Sequence, residues 1–158
     1  VVRGASDRGS DFTFVTPTDY LRRHATHQVA RPSPSTWGEG GHLRVWLNEK
    51  NEWIQPHLRA GEQRLTALVR RYPEPGDLVD RALRQAAREL MLAEASDWPF
   101  ILHAGTSPDY ARRRVAAHLG RFQGLHDMLM AGAVNEGGLR EMEAVDNLFP
   151  NLDWRYWR

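Results

Sequence analysis

Asp77-Leu78-Val79-Asp80-Arg81-Ala82-Leu83-Arg84-Gln85-Ala86-Ala87-Arg88-Glu89-Leu90-Met91-Leu92-Ala93-Glu94-Ala95 is the stretch that decides the fold class. Val79, Leu83, Ala86, Leu90 and Met91 recur at helical spacing and form one apolar stripe. The breaker Tyr72-Pro73-Glu74-Pro75-Gly76 precedes it, and Asp77 stands where a helix cap is expected. Alanines at 82, 86, 87, 93 and 95 favour close approach of a neighbouring helix. A helix with one apolar stripe must bury it against other elements, and the flanking sequence supplies them.

Upstream, Ile54, Leu58, Gly61, Leu65 and Leu68 are spaced by four, three, four and three residues, which is one helical face. Asn51 is expected to cap that helix, with Pro56 in its first turns. Downstream, Ser96-Asp97-Trp98-Pro99-Phe100-Ile101-Leu102 reads as a short apolar helix. Ser107-Pro108-Asp109 then opens a long one: cap residue, proline at the first position, acid in the first turn. Its stripe is Ala111, Val115, Leu119, Phe122, Leu125 and Leu129, and Gly132 with Asn135-Glu136-Gly137-Gly138 ends it. Leu139, Met142, Val145 and Phe149 predict a last amphipathic helix stopped by Pro150. The aromatic tail Leu152-Asp153-Trp154-Arg155-Tyr156-Trp157 is expected to dock back onto the body. The expected fold is mainly α, an antiparallel bundle-like domain of about five helices. Leu83, Leu90, Val115, Phe122 and Leu129 are expected to be buried together.

The beginning of the chain differs. Residues 1–10 are polar and aperiodic, and no initiator methionine is present. Phe12-Thr13-Phe14-Val15 reads as a short β-strand with nothing in this sequence to pair with. Thr16-Pro17-Thr18-Asp19 carries a capping box, so a helix is expected through Tyr20, Leu21 and His24 to about Val29. An isolated strand at the head of a helical chain suggests the tail of a longer protein.

With 158 residues, 41% hydrophobic and 26% charged, the chain has the makings of a single folded domain. A net charge of +1 offers no global field to recruit nucleic acid or an anionic membrane, so neither is expected as a partner. The arginine clusters Arg22-Arg23, Arg70-Arg71 and Arg112-Arg113-Arg114 fall on separate predicted helices and read as solvated faces. Cysteine is absent, which removes disulfide and thiolate chemistry and fits a cytoplasmic home. No apolar run reaches membrane-spanning length.

Between the first and second predicted helices lies Thr36-Trp37-Gly38-Glu39-Gly40-Gly41-His42-Leu43-Arg44-Val45-Trp46-Leu47-Asn48. Glycines allow positive φ and close approach to a ligand. Indoles offer a flat apolar face with one N–H at the edge, and a sugar ring offers apolar C–H faces with hydroxyl rims. The loop therefore has the parts of a carbohydrate subsite, and residue type alone equally allows two core tryptophans spanning a loop. His24 and His27, three apart, form a possible metal pair, but no third ligand lies nearby. His57, His103, His118 and His126 are scattered and read as exposed or as satisfied core positions. Glycosidases need two carboxylates flanking the bond. Glu39 and Asp97 are the candidates, and each also has a local role open to it, Glu39 within its glycine loop and Asp97 at the start of a helix.

Trp37-Gly38-Glu39-Gly40-Gly41 followed by Val45-Trp46-Leu47-Asn48 and Trp53-Ile54 closely resembles the fifth signature region of glycoside hydrolase family 57, in its α-1,4-glucan branching enzyme group. Ala86-Ala87-Arg88-Glu89-Leu90, Ala95-Ser96-Asp97-Trp98-Pro99-Phe100, Gly105-Thr106, Tyr110-Ala111 and Asp146-Asn147-Leu148-Phe149-Pro150 are similar to that group's C-terminal helical domain. Phe12 to Val15 and Thr16 to Leu21 look like the exit from its catalytic barrel. The resemblance covers nearly the whole chain.

The resemblance implies a three-part layout: the end of a (β/α) barrel of seven repeats at 1–30, a Trp/Gly-rich cleft loop at 31–50, and a helical domain at 51–158. It implies a parent that cuts an α-1,4 glucan and reattaches the piece through an α-1,6 bond, by a retaining double displacement without metal or other cofactor. The barrel motifs bearing the two catalytic carboxylates are absent, so no residue here is assigned a catalytic role and the chain by itself is expected to be inactive. The expected sugar-contacting residues are Trp37, Gly38, Glu39, Trp46, Asp97 and Trp98. The expected partners are an α-glucan and the chain's own upstream barrel, with the protein a monomer. The alternatives are a 4-α-glucanotransferase or α-amylase-like enzyme of the same family, a non-catalytic glucan-binding module, and a helical interaction domain without sugar function.

Overall fold

The computed structural model describes residues 13–158. The chain divides into two compact units between Pro34 and Ser35. In the first unit, α1 spans Pro17–Arg23. Thr16 caps it as the sequence predicts: its Oγ1 accepts from the Asp19 N–H at 3.1 Å and donates to the Asp19 carboxylate at 2.7 Å. The helix stops at Arg23 and not near Val29, because His24 is already extended, with φ −121° and ψ 110°. His24 and His27 therefore do not share a helix face, and both rings gather near Tyr20, 4.4 and 6.0 Å away between centroids. The expected strand is also corrected. Its first residue, Phe12, lies outside the described residues, residues 13–16 form no strand, and no strand occurs among the described residues. Strand-forming residue types alone do not make a strand, since its backbone groups need a partner ladder.

The second unit carries α2 (Ile54–Arg71), α3 (Asp77–Ala93), α4 (Asp97–Ala104), α5 (Pro108–Ala131) and α6 (Glu136–Val145). α2 packs against α3, α5 packs against α2, α3 and α4, and α6 returns to α3. Burial follows the stripes read from the sequence. Leu65 and Leu68 of α2, Leu83, Ala86 and Leu90 of α3, and Phe122, Leu125 and Leu129 of α5 form the main core. A second cluster joins Ile54, Trp98, Leu102, Ala111 and Val115, so Val115 is buried as expected but apart from Leu83, Leu90, Phe122 and Leu129.

Gly61 belongs to the α2 stripe for a steric reason. A Cβ there would lie 2.7 Å from Leu90 Cδ1, so glycine lets α2 and α3 approach. The aromatic tail docks as predicted: Trp154 is buried, and its indole N–H donates to Asp80 Oδ1 at 2.8 Å. The last helix ends at Val145, four residues before Phe149. Only Leu139 of its expected stripe is fully buried, while Val145 and Phe149 are exposed.

Two expected caps are replaced. Gly76, not Asp77, is the N-cap of α3, and Asp77 is its first residue. Asn51 does not cap α2, whose N-cap is Trp53.

Candidate glucan-binding site

The tryptophan loop belongs to the same compact unit as the helices. Thr36 ties its base, with its N–H donating to Gly41 O at 2.9 Å and its hydroxyl to His42 O at 2.7 Å. Between these anchors the chain makes two 3-10 turns, Glu39–Gly41 and Leu43–Val45. Gly40 and Gly41 take φ of 64° and 73°, a conformation that favours glycine. Gly38 meets a different demand. It is buried, and a Cβ there would crowd His42 O, Thr36 Oγ1 and Val45 Cγ2 at 3.1 to 3.2 Å. Its close approach is to its own loop, so Gly38 shapes the turn beneath Trp37 and offers no open backbone to a ligand.

This fold of the loop turns Trp37 outward, with 78% of its surface exposed. Trp46 is half-buried beside it. The two indoles meet at 4.8 Å between centroids and 63° between planes, an edge-to-face pair. Phe100 of α4 completes the group, 6.1 Å from Trp37 and 6.2 Å from Trp46. Asp97 opens the same helix one turn earlier, exposed, so its carboxylate and the Phe100 ring share a helix face. Glu39 is exposed within the loop.

Trp98 has the opposite surroundings. It is 8% exposed, packs with Ile54 and Leu102, and spends its indole N–H on Leu92 O at 2.7 Å. The structure thus places Trp98 in the core, where it braces α4, while Asp97 and Phe100 face out.

Sequence reasoning missed the residue that joins the loop to α4. Asn51 is fully buried. Its side-chain N–H₂ donates to Val45 O at 2.9 Å and to Pro99 O at 3.1 Å, and its Oδ1 accepts from the Asn48 N–H at 2.8 Å. Val45 immediately precedes Trp46, and Pro99 immediately precedes Phe100. One amide therefore fixes the backbone beneath two rings of the cluster. Asn48 and Lys50 add bonds across the same seam, to His103 Nδ1 at 3.3 Å and to His103 O at 3.2 Å.

A second polar group is buried between α3, α5 and the segment after α6. His118, fully buried, contacts Glu89 Oε2 through Nδ1 at 2.8 Å and the Arg114 guanidinium through Nε2 at 2.9 Å. A guanidinium only donates, so Nε2 is the acceptor and Nδ1 carries the proton given to Glu89. Asp146 accepts from Arg121 and lies 3.8 Å from Arg114. Gln85 joins Glu89 Oε1 to the Asp146 carbonyl, at 2.9 and 3.2 Å. Glu89, His118 and Asp146 bring their ligand atoms within 4.8 Å of one another, a spacing that could hold a cation. Those atoms are already engaged, and two arginines supply the positive charge, so the arrangement works as an internal brace. It also corrects the reading of Arg112-Arg113-Arg114 as a solvated face: Arg114 turns inward and is half-buried.

Comparison with known proteins places this architecture. The structure superposes on a crystal structure of a GH57 branching enzyme from Thermococcus kodakaraensis with a TM-score of 0.82 and 31% identity, over 93% of this chain and 28% of that one. A GH57-type branching enzyme from Pyrococcus horikoshii gives 0.76 and 30%, over 94% and 29%. The α-amylase AmyC of Thermotoga maritima gives 0.73 and 34%, over 98% and 28%. In sequence, a 1,4-α-glucan branching enzyme of Thermococcus kodakarensis is 37% identical over 127 residues, and a probable one of Mycobacterium tuberculosis is 30% identical over 134. The chain spans 19% and 25% of the length of these two relatives. The fold is thus that of a helical domain found in family 57 glycoside hydrolases. Residues 57–157 match the model of the 1,4-α-glucan branching enzyme C-terminal domain, and the chain belongs to that family.

Proposed function

We propose that this chain forms one wall of the α-glucan cleft of a 1,4-α-glucan branching enzyme, with Trp37 as its outermost sugar platform. The observation that carries the reading is Trp37 itself: a large indole held 78% exposed by a tied loop, within a domain of the branching-enzyme family. A buried indole would have explained the loop as packing, whereas an exposed and buttressed one, clustered with Trp46 and Phe100, supports a binding surface. Trp46 supports it, and Asp97 and Glu39 supply carboxylates for sugar hydroxyls. One of the similar solved structures is described as a complex with glucose, which is consistent with sugar recognition in this family.

In this reading the parent enzyme cleaves α-1,4 bonds and passes the released chain to a glucan hydroxyl, forming α-1,6 branches as in glycogen biosynthesis. An aromatic wall serves that step by holding the acceptor in place and excluding water, so that transfer competes with hydrolysis. The bond-breaking carboxylates belong to an upstream barrel, the partner of this wall. The protein acts as a monomer in the cytoplasm, and no helix among the described residues is long and apolar enough to cross a membrane.

The likeness to an α-amylase over 98% of this chain supports a second reading, a hydrolase of the same family. Two measurements test the proposal. The 158-residue chain should bind maltoheptaose yet leave the iodine colour of amylose unchanged. The enzyme containing it should generate α-1,6 linkages, detectable by debranching of its product. Binding absent from the chain removes the platform, and a full-length enzyme that releases only linear sugars replaces branching with hydrolysis.

A further inference from the structure

We propose that Phe100 is a third sugar-contacting ring, and that the three rings together select a curved glucan segment; the inference rests on the platform reading of Trp37. Phe100 lies two residues from both Trp98 and Leu102, so the helix turns it to the face opposite the core, beside the two tryptophans. It sits on the eight-residue α4, whose Trp98 and Leu102 fill the core, and it keeps 43% of its surface exposed against the two tryptophans.

The orientation of the rings carries the specificity. The indole planes differ by 63°, and the phenyl plane lies 31° from one and 33° from the other, so its tilt is intermediate between them. Coplanar rings would make a flat strip, suited to the ribbon of a β-1,4 glucan, whose sugars present flat faces along one line. Rings turned stepwise suit an α-1,4 glucan, whose axial linkage at C1 turns each sugar relative to the last and curves the chain. Asp97, a turn before Phe100 on the same helix face, offers a carboxylate to a sugar hydroxyl.

The shape is set before any ligand arrives. Asn51 holds the carbonyls of Val45 and Pro99, the residues just before Trp46 and Phe100, so the spacing of those two rings follows from one buried amide. Fixing the rings in advance lowers the ordering cost of binding.

The test measures maltoheptaose and cellohexaose binding to the 158-residue chain by calorimetry, with melting temperatures recorded for each variant. Phe100→Leu keeps apolar volume and removes the π face. It should weaken maltoheptaose binding about three- to tenfold at an unchanged melting temperature, the range expected for one ring contact. Phe100→Tyr should restore it, and cellohexaose should bind the wild-type chain more weakly than maltoheptaose. If Phe100→Leu binds as the wild type while Trp37→Ala binds more weakly, the third ring is overturned and the platform stands. If neither substitution weakens binding, both fall. Equal affinity for the two oligosaccharides overturns the selection of curvature.

Discussion

The indole of Trp46 stands at 63° to that of Trp37, with 4.8 Å between their centroids. In an edge-to-face pair one ring covers part of the other, so the two tryptophans cannot serve equally as platforms. Trp37 is the exposed member and Trp46 the half-buried support. Trp37→Ala should therefore change stability by less than about 0.5 kcal/mol, as for a surface substitution, while it weakens glucan binding. Trp46→Ala should lower stability by about 1–2 kcal/mol, since it removes partly buried apolar surface, and should weaken binding as well. Urea titration beside maltoheptaose calorimetry checks both. Equal stability losses in the two variants would contradict this division of roles.

Asn51 makes a different prediction. Replacing it with Ala strands the carbonyls of Val45 and Pro99, which lose their shared donor. A buried polar group left unpaired costs about 1–3 kcal/mol. Asn51→Ala should thus destabilise by roughly 2 kcal/mol or more, and tryptophan emission should change as the loop loosens from α4. A variant as stable as the wild type would show that the seam is held by the bonds to His103 alone.

The brace between α3 and α5 should fail abruptly when one member is removed. Glu89 and His118 are both fully buried. Leaving a buried hydrogen-bonding group without its partner costs about 1–3 kcal/mol, and more where that group is charged. His118→Ala leaves Glu89 and Arg114 without their shared partner and should fall in that range by denaturant unfolding. His118→Leu, which restores bulk but not hydrogen bonds, should recover only part of the loss.

Glu94 gives the chain a dependence on pH. Burial pushes its carboxyl up from 4.5 to about 7, with the Glu62 carboxylate adding to the effect. The folded state thus holds a proton that the unfolded state releases at lower pH. Stability falls as pH rises from about 4.5 to 7 and levels off above that. Glu94→Gln should remove this dependence and stabilise the fold near pH 8 by about 1 kcal/mol, a modest figure because water screens a partly exposed group. At pH 4 the two proteins should unfold alike, and a wild-type midpoint flat between pH 4 and 8 would refute the assignment.

Gly61 sets how near α2 and α3 can come. Gly61→Ala gains helix propensity but drives its Cβ into Leu90 Cδ1 at 2.7 Å. Overpacking of this kind costs about 1–3 kcal/mol, so a net loss near 1 kcal/mol is expected after the propensity gain. Leu90→Ala in the same background should suppress the clash, giving a double-mutant coupling that a simple backbone effect would not produce.

The long helices were legible because periodicity is local. Leu83, Leu90, Phe122 and Leu129 lie on stripes that one turn of sequence after another repeats, and a helix satisfies its backbone hydrogen bonds internally. What escaped depends on distant partners. Asn51 looked like a cap because caps are read from the next few residues, whereas one of its partners, Pro99, lies 48 positions away. His118 and Glu89 are 29 apart, and nothing in either neighbourhood announces the other. Phe14 and Val15 have strand-forming side chains, but a strand is a property of two segments. In the candidate site, Trp37, Trp46 and Asp97 could be named from type and resemblance. Their exposure could not, and Trp98, equally aromatic and adjacent to Asp97, proved to be core because the turn of α4 points it inward.

The buried brace of Glu89, His118, Asp146, Arg114 and Arg121 also bears on heat. Taking charged groups out of water costs less as temperature rises, because their hydration carries an unfavourable entropy. Apolar packing gains no comparable advantage. The junction between α3 and α5 should accordingly be among the last parts of this domain to loosen on warming, and relatively weakest in the cold.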